Sequence, residues 1–197
     1  MPQFLPPATR AILFANVFAY LAEQLFGAAF YAPFQLWPLG PDFEPWQLVT
    51  YSFLHDAANF NHIFFNMFGL LMFGPMVEER LGPRRFAVFY FVCVIAAAAT
   101  QLAVQSATGS PEPTVGASGA IFGILLAAAV FFPRAPLLVF FVLPMPMWLV
   151  VTLYGAIELY LGVTGRQEGV AHFAHLGGMM GAAAVILYWR TRGTLRS

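Results

Sequence analysis

Apolar residues run through this chain in long blocks, separated by short breaks rich in proline, glycine or charge. A helix that crosses a bilayer needs about 20 mostly apolar residues. Six blocks fit that requirement with some latitude at their ends. They cover about 8–27, a turn or two before His62 to 77, 86–107, 118–132, 146–162 and 171–189. The stretch 137–143 is apolar too, but Pro144 and Pro146 would interrupt a helix there, so it is expected as a connection along the membrane face. The aromatic stretch 30–46 is too apolar for a water-exposed linker and is expected half-sunk in the outer interface. The pattern therefore predicts an all-α polytopic membrane protein: one domain, 1–197, built as a six-helix bundle with a half-sunk loop between helices one and two.

Composition agrees. Hydrophobic residues make up 60% of the 197 positions and charged residues 9%, where a soluble domain carries about a quarter. Too few charges exist to cover a water-facing surface. A formal net charge of zero argues against a nucleic-acid partner. The one cysteine, Cys93, excludes an intrachain disulfide and a thiolate zinc site. The start of the chain has no basic segment followed by a small-residue cleavage site, so no cleaved leader is expected, nor a soluble domain at either end.

All nine basic residues are arginines. Arg10, Arg80, Arg84, Arg85, Arg134, Arg190, Arg192 and Arg196 fall on one side of a six-span bundle and only Arg166 on the other. Asp42, Glu44, Glu112 and Glu168 fall on the Arg166 side. The positive-inside rule then puts both termini in the cytoplasm and the protein in the cell's inner (plasma) membrane.

Depth tests the candidate chemistry. Counted back from the arginine at the cytoplasmic end of each span, Ser118 lies about 24 Å up, His175 about 22 Å, Asn66 about 21 Å and His62 about 27 Å. Four polar side chains from three spans thus meet at one level, below the outer surface of a core roughly 30 Å thick. His62 and Asn66 are four residues apart and share a helix face. Ser118 opens a short span after a loop holding Pro113 and Gly116. A helix N-terminus there offers unpaired N–H groups to an anion. Gly116 and Gly119 allow close backbone approach. The small-residue pairs Gly119/Gly123 and Gly177/Gly181 would bring spans four and six together.

Ser118 has two readings, a helix-packing residue and a nucleophile. As a nucleophile it needs a base, and His175 stands at the right depth. The Ser118 N–H, the Asn66 amide and the His62 imidazole are candidate oxyanion donors, though His62 and Asn66 could instead bond a neighbouring loop. No carboxylate is placed near His175. Glu23 and Glu158 are expected at outer helix ends, snorkelling or capping, so the expectation is a Ser-His dyad without an acidic third member. His172 reads as a structural hydrogen bonder. A metal site of His62, His172 and His175 lacks a completing carboxylate, so neither metal nor cofactor is expected.

"GASG" at 116–119, "HIFFN" at 62–66 and "AHFAHLGGMMG" at 171–181 resemble the signature regions of the rhomboid intramembrane serine proteases. The resemblance covers nearly the whole chain, including "VEERLG" at 77–82 and "PMPMW" at 144–148. It implies Ser118 as nucleophile, His175 as general base, and His62 and Asn66 on the oxyanion side. It also implies Gly178 as the glycine packing span six on span four, and Glu78 with Arg80 as a stabilising pair. Substrates would be transmembrane helices of other proteins, entering from the bilayer between spans two and five, where Phe64, Met67, Trp148 and Leu153 would meet. Two departures stand out. Trp46-Gln47 replaces the Trp-Arg of many bacterial members, and Phe122 replaces a tyrosine stacked on the histidine. A catalytically inactive membrane scaffold that binds transmembrane clients is the alternative reading, and a transporter finds no support in an inverted repeat. Neither the physiological substrate nor the oligomeric state can be read from the chain.

Overall fold

The computed structural model describes residues 5–139, 142–165, 171–193 and 195. Arg166, Glu168 and Arg196, which entered the side assignment, lie outside them. Six long helices carry the fold: α1 (Pro7–Phe26), α2 (Phe60–Leu81), α3 (Pro83–Thr108), α4 (Ser118–Phe131), α5 (Met147–Thr164) and α6 (His172–Thr191). They fall on the six apolar blocks, with ends shifted by a few residues. By length and composition α2, α3 and α5 are apolar enough to cross a membrane, while α4, at 14 residues, is shorter. Helices α1 and α6 have 20 residues each. They carry polar groups such as Asn16 and Glu23, or His172 and His175, which the fold buries.

Local chemistry sets the helix ends. Gly82 takes φ +80°, open to glycine, and Pro83 follows at the start of α3. That glycine stops α2 and the proline starts α3, so the two helices are joined by a single residue. Pro75 lies inside α2 without ending it.

Helix α4 is the hub and packs against α2, α3, α5 and α6. Its inner faces are small: Gly119, Ala120, Gly123, Ala127 and Ala128 are buried. The core around it is built from Leu70, Phe86, Phe89, Tyr90, Val94 and Ile124, all fully buried. Gly178 of α6 lies directly on the Gly119 carbonyl, with no room for a Cβ. The Gly177/Gly181 pair faces elsewhere: Cβ atoms there would meet Thr100 and Ala96 of α3 at 2.5–2.6 Å. That pair therefore seats α6 on α3, not on α4 as the spacing predicts, because residues one apart on a helix point about 100° away from each other.

The segment after α4 differs from the all-α expectation. Pro136–Val139 (β1) and Leu143–Pro146 (β2) pair antiparallel, Leu137 opposite Met145. Prolines that exclude a helix are tolerated at the edges of a two-stranded ribbon.

Between α1 and α2 the chain forms short helical turns at Ala28–Tyr31, Ala32–Phe34, Gln47–Thr50 and Tyr51–Phe53. Gln47 is fully buried and ties this loop together. Its Nε2 donates to the carbonyls of Pro33 and Asp42, and its Oε1 accepts from the Trp37 N–H. A neutral amide thus orders the loop at the position where many bacterial rhomboids carry arginine. Phe30, Leu39 and Trp46 remain exposed on its surface.

Candidate active site

Ser118 is the first residue of α4, and the turn before it is fixed from two sides. Gly116 adopts φ +127°, a conformation L side chains rarely take, and its N–H donates to the Tyr51 carbonyl. A Cβ at Gly116 would stand 2.9 Å from His62 Nε2 and 3.6 Å from Ser118 Oγ. The glycine therefore opens the space in which an imidazole and a hydroxyl face one another.

His175 Nε2 lies 2.7 Å from Ser118 Oγ. The ring is clamped by Phe122, one turn along α4, which stacks on it at 4.3 Å and 7°. Phenylalanine thus retains the stacking of the tyrosine it replaces. His62 is oriented by a backbone donor: the Asp56 N–H reaches its Nδ1 at 3.2 Å. A ring nitrogen that accepts leaves the other as the N–H in the neutral form, so His62 presents a donor at Nε2 toward Gly116 and Ser118. Asn66 is buried on the same helix face, but its Nδ2 donates to the His62 carbonyl at 2.7 Å. One N–H of its amide is thus engaged with its own helix, whereas His62 offers Nε2 beside Gly116.

A cavity of about 860 Å³ leads to these groups. Ser118, His175, His62 and Asn66 are among its lining residues, with Tyr31, Gln35, Asp56, Asn59 and Asn61.

Glu158 corrects the sequence reading. Rather than snorkelling, it is buried against α6, with Oε2 2.8 Å from His175 Nδ1 and 2.7 Å from His172 Nδ1. A carboxylate does stand behind the histidine. Glu23 is buried as well and accepts the His55 backbone N–H at 3.1–3.2 Å. Glu158 also supplies the carboxylate that the sequence reading finds lacking for a histidine metal site. Glu158, His172 and His175 converge with their ligand atoms within 4.8 Å of one another. Ligands about 2.0–2.1 Å from a tetrahedral zinc stand roughly 3.3 Å apart. The 2.7–2.8 Å separations found are those of N–H···O bonds.

Glu78, which the resemblance pairs with Arg80 as a stabilising element, binds the first turn of α1. Its carboxylate accepts from the Ala8 N–H, the Thr9 N–H and the Thr9 hydroxyl at 2.6–2.9 Å, fastening the start of α1 to α2. A titratable lining residue, His55, escaped the sequence reading. His55 is buried at the cavity with its ring edge-on to His62, centroids 5.2 Å apart. Burial holds its imidazole down at about 3, His62 acts in the same direction and the Phe53 backbone opposes. Its place seven residues before His62, in the approach to α2, was the available signal.

Residues 42–192 match the model of the Rhomboid domain. RHOMBOID-like protein 12, mitochondrial, of Arabidopsis thaliana is 34% identical over 160 residues, which cover 74% of this chain and 46% of the relative. Rhomboid-like protein 11, chloroplastic, of the same plant is 29% identical over 186 residues, 90% of this chain and 63% of the relative. Rhomboid-like protease 3 of Toxoplasma gondii is 31% identical over 168 residues, 84% of this chain and 57% of the relative. The chain thus spans about half to two-thirds of the length of these relatives. With the matched region covering most of the helical bundle and the quoted motifs inside it, the chain belongs to the rhomboid family.

Proposed function

We propose that the protein is an intramembrane serine endopeptidase that cleaves transmembrane helices of other membrane proteins near their outer ends. The observation that carries this reading is the 2.7 Å hydrogen bond between Ser118 Oγ and His175 Nε2 at the N-terminus of α4. Ser118 Oγ attacks the scissile carbonyl carbon and its proton passes to His175 Nε2. The carbonyl oxygen becomes an oxyanion, stabilised by the Ser118 N–H and the His62 Nε2–H. His175 then gives its proton to the leaving amine, and an ester remains on Ser118. Water entering through the cavity hydrolyses that ester, with His175 again taking and returning a proton.

All six long helices cross the bilayer in this reading, as one domain of an inner-membrane protein with both termini cytoplasmic. The arginine distribution supports the orientation. A substrate helix has its carbonyls paired, so it must unwind locally before attack. Helix-weakening residues and a small residue before the cut should mark good substrates.

The test is labelling of purified protein by a fluorophosphonate probe, together with cleavage of a helix-destabilised transmembrane substrate. Wild type should label and cleave. Ser118→Ala should do neither while staying folded, a loss of up to about 10⁶-fold by analogy with soluble serine proteases. Cleavage retained by the pure variant would remove Ser118 from the mechanism. Client binding without labelling or cleavage in wild type would identify a scaffold.

A further inference from the structure

We propose that Glu158, supported by His172, is the positioning residue of the catalytic histidine, so that this chain works through a Ser-His-Glu relay rather than a two-residue site. The inference rests on the serine-protease reading of Ser118 and His175. It stands on a line of contacts: Glu158 Oε2 to His175 Nδ1 at 2.8 Å, then His175 Nε2 to Ser118 Oγ at 2.7 Å.

Hydrogen-bond chemistry gives the line a direction. An ionised carboxylate only accepts, so a ring nitrogen 2.8 Å from it carries the hydrogen. Neutral His175 then bears its hydrogen on Nδ1 and its lone pair on Nε2, facing the serine hydroxyl. That is the tautomer able to take the Ser118 proton. The opposite tautomer would point an N–H at Ser118 and could not act as base. When Nε2 takes the proton, His175 becomes an imidazolium, and Glu158 supplies the opposite charge in a site only 8% exposed.

His172 acts on the same oxygen. It precedes His175 by one helical turn, its ring perpendicular to that of His175 with centroids 6.3 Å apart. Its Nδ1 donates to Glu158 Oε2 at 2.7 Å. Two N–H donors on one carboxylate oxygen fix it more tightly than one. Gly162 allows the approach of α5 to α6: a Cβ there would stand 3.0 Å from the Phe173 ring and 3.3 Å from His172 Cβ.

A tie that merely joined α5 to α6 would show itself in stability. A positioning residue shows itself in kcat and in the tautomer. The chain has four histidines, so nitrogen-15 NMR of labelled protein in detergent can assign them with single variants. Wild-type His175 should carry its hydrogen on Nδ1. Glu158→Gln should lower kcat by about 10²–10⁴-fold with KM little changed. Glu158→Asp should recover part of the rate, and His172→Ala should lower kcat less than Glu158→Gln does. A Glu158→Gln variant that folds and loses no more than about threefold in kcat overturns the proposal. So does a wild-type His175 with its hydrogen on Nε2, a result independent of whether any variant folds. If wild type neither labels nor cleaves, the protease reading fails instead, and the tautomer still reports on Glu158.

Discussion

At the scale of single residues, the oxyanion side of the site is unequal. His62 is oriented by the Asp56 N–H and presents Nε2–H beside Gly116, whereas one N–H of the Asn66 amide is engaged with the His62 carbonyl. His62→Ala should therefore lower kcat by about 10²–10³-fold, the cost of one full donor. Asn66→Ala should cost clearly less. Equal losses in cleavage assays would mean that the Asn66 amide donates as fully as His62 in the transition state. His55 makes a different prediction, about pH. Its buried ring titrates at about 3 rather than at the ordinary 6.5, so the unfolded chain binds the proton more readily. The stability that follows from keeping the ring neutral is complete above about 6.5 and is lost as pH falls toward 3. Thermal unfolding of wild type should weaken over that interval, and His55→Phe should flatten the decline; equal slopes would exclude His55 as the source. Ser118, His175 and His62 were legible in the sequence because polar groups in an apolar helix are costly and therefore conspicuous. Glu158 was not, because arginines at the far helix ends were the ruler. Measured from the loop joining α5 to α6, Glu158 sits about 9 Å inside Thr164 and His175 about 4.5 Å inside His172, which makes them neighbours.

At the scale of elements, close approach does what apolar burial cannot do in lipid. Helices in a bilayer gain little from hiding apolar surface and associate through small residues that let backbones touch. Gly178 on the Gly119 carbonyl is the tightest such contact, and it sets the distance from Ser118 to His175. Gly178→Ala should destabilise by about 1–3 kcal/mol or more through overpacking, with loss of cleavage even below the unfolding temperature. Unchanged thermal stability would show that α4 and α6 can slide apart freely. Glu78 anchors the other end of the bundle. Glu78→Gln replaces a charged acceptor of two backbone N–H groups and a hydroxyl, and should cost about 1–3 kcal/mol of stability, read by thermal unfolding, while leaving the chemistry intact. The helices were legible because apolar length and proline or glycine stops are local. The partner of each glycine stripe was not, since which of two adjacent faces meets which neighbour depends on the rotation of a helix about its own axis. The hairpin of β1 and β2 was half legible: its prolines excluded a helix, but strand pairing is a non-local choice.

At the scale of the whole molecule, the question is where a substrate helix gets in. Helix α5 is the least embedded of the three helices long and apolar enough to cross a membrane. Only 22% of its apolar window is buried, against 39% for α2 and α3. It is held by α4, α6 and the hairpin, and Glu158 ties it to α6 toward the end that joins the two. In the proposed function, the resemblance puts the lateral route between α2 and α5, and the weak embedding of α5 favours an opening there. Counted along the helices at 1.5 Å per residue, the residues expected to meet there do not share one level. Met67 is part of the buried core. Phe64 lies four residues into α2 and Trp148 sixteen residues before the end of α5. Because the chain alternates direction, these two are separated by about 18 Å along the bundle. Leu153 faces the level of Leu71, and Phe64 that of Tyr160, with Phe68 and Ile157 between. All of these are exposed. The seam near the active site should therefore be formed by Phe64, Phe68 and Ile157, and Trp148 should matter little. Phe64→Ala combined with Ile157→Ala should raise cleavage of a membrane-embedded substrate, leave a soluble peptide substrate unaffected and lower thermal stability. Trp148→Ala should change neither rate. Paired kinetics on the embedded and the soluble substrate decide the matter. If the double variant lost activity toward the embedded substrate alone, these side chains would be guiding the substrate rather than barring it. An acceleration by Trp148→Ala equal to that of the double variant would move the route to the other end of α5.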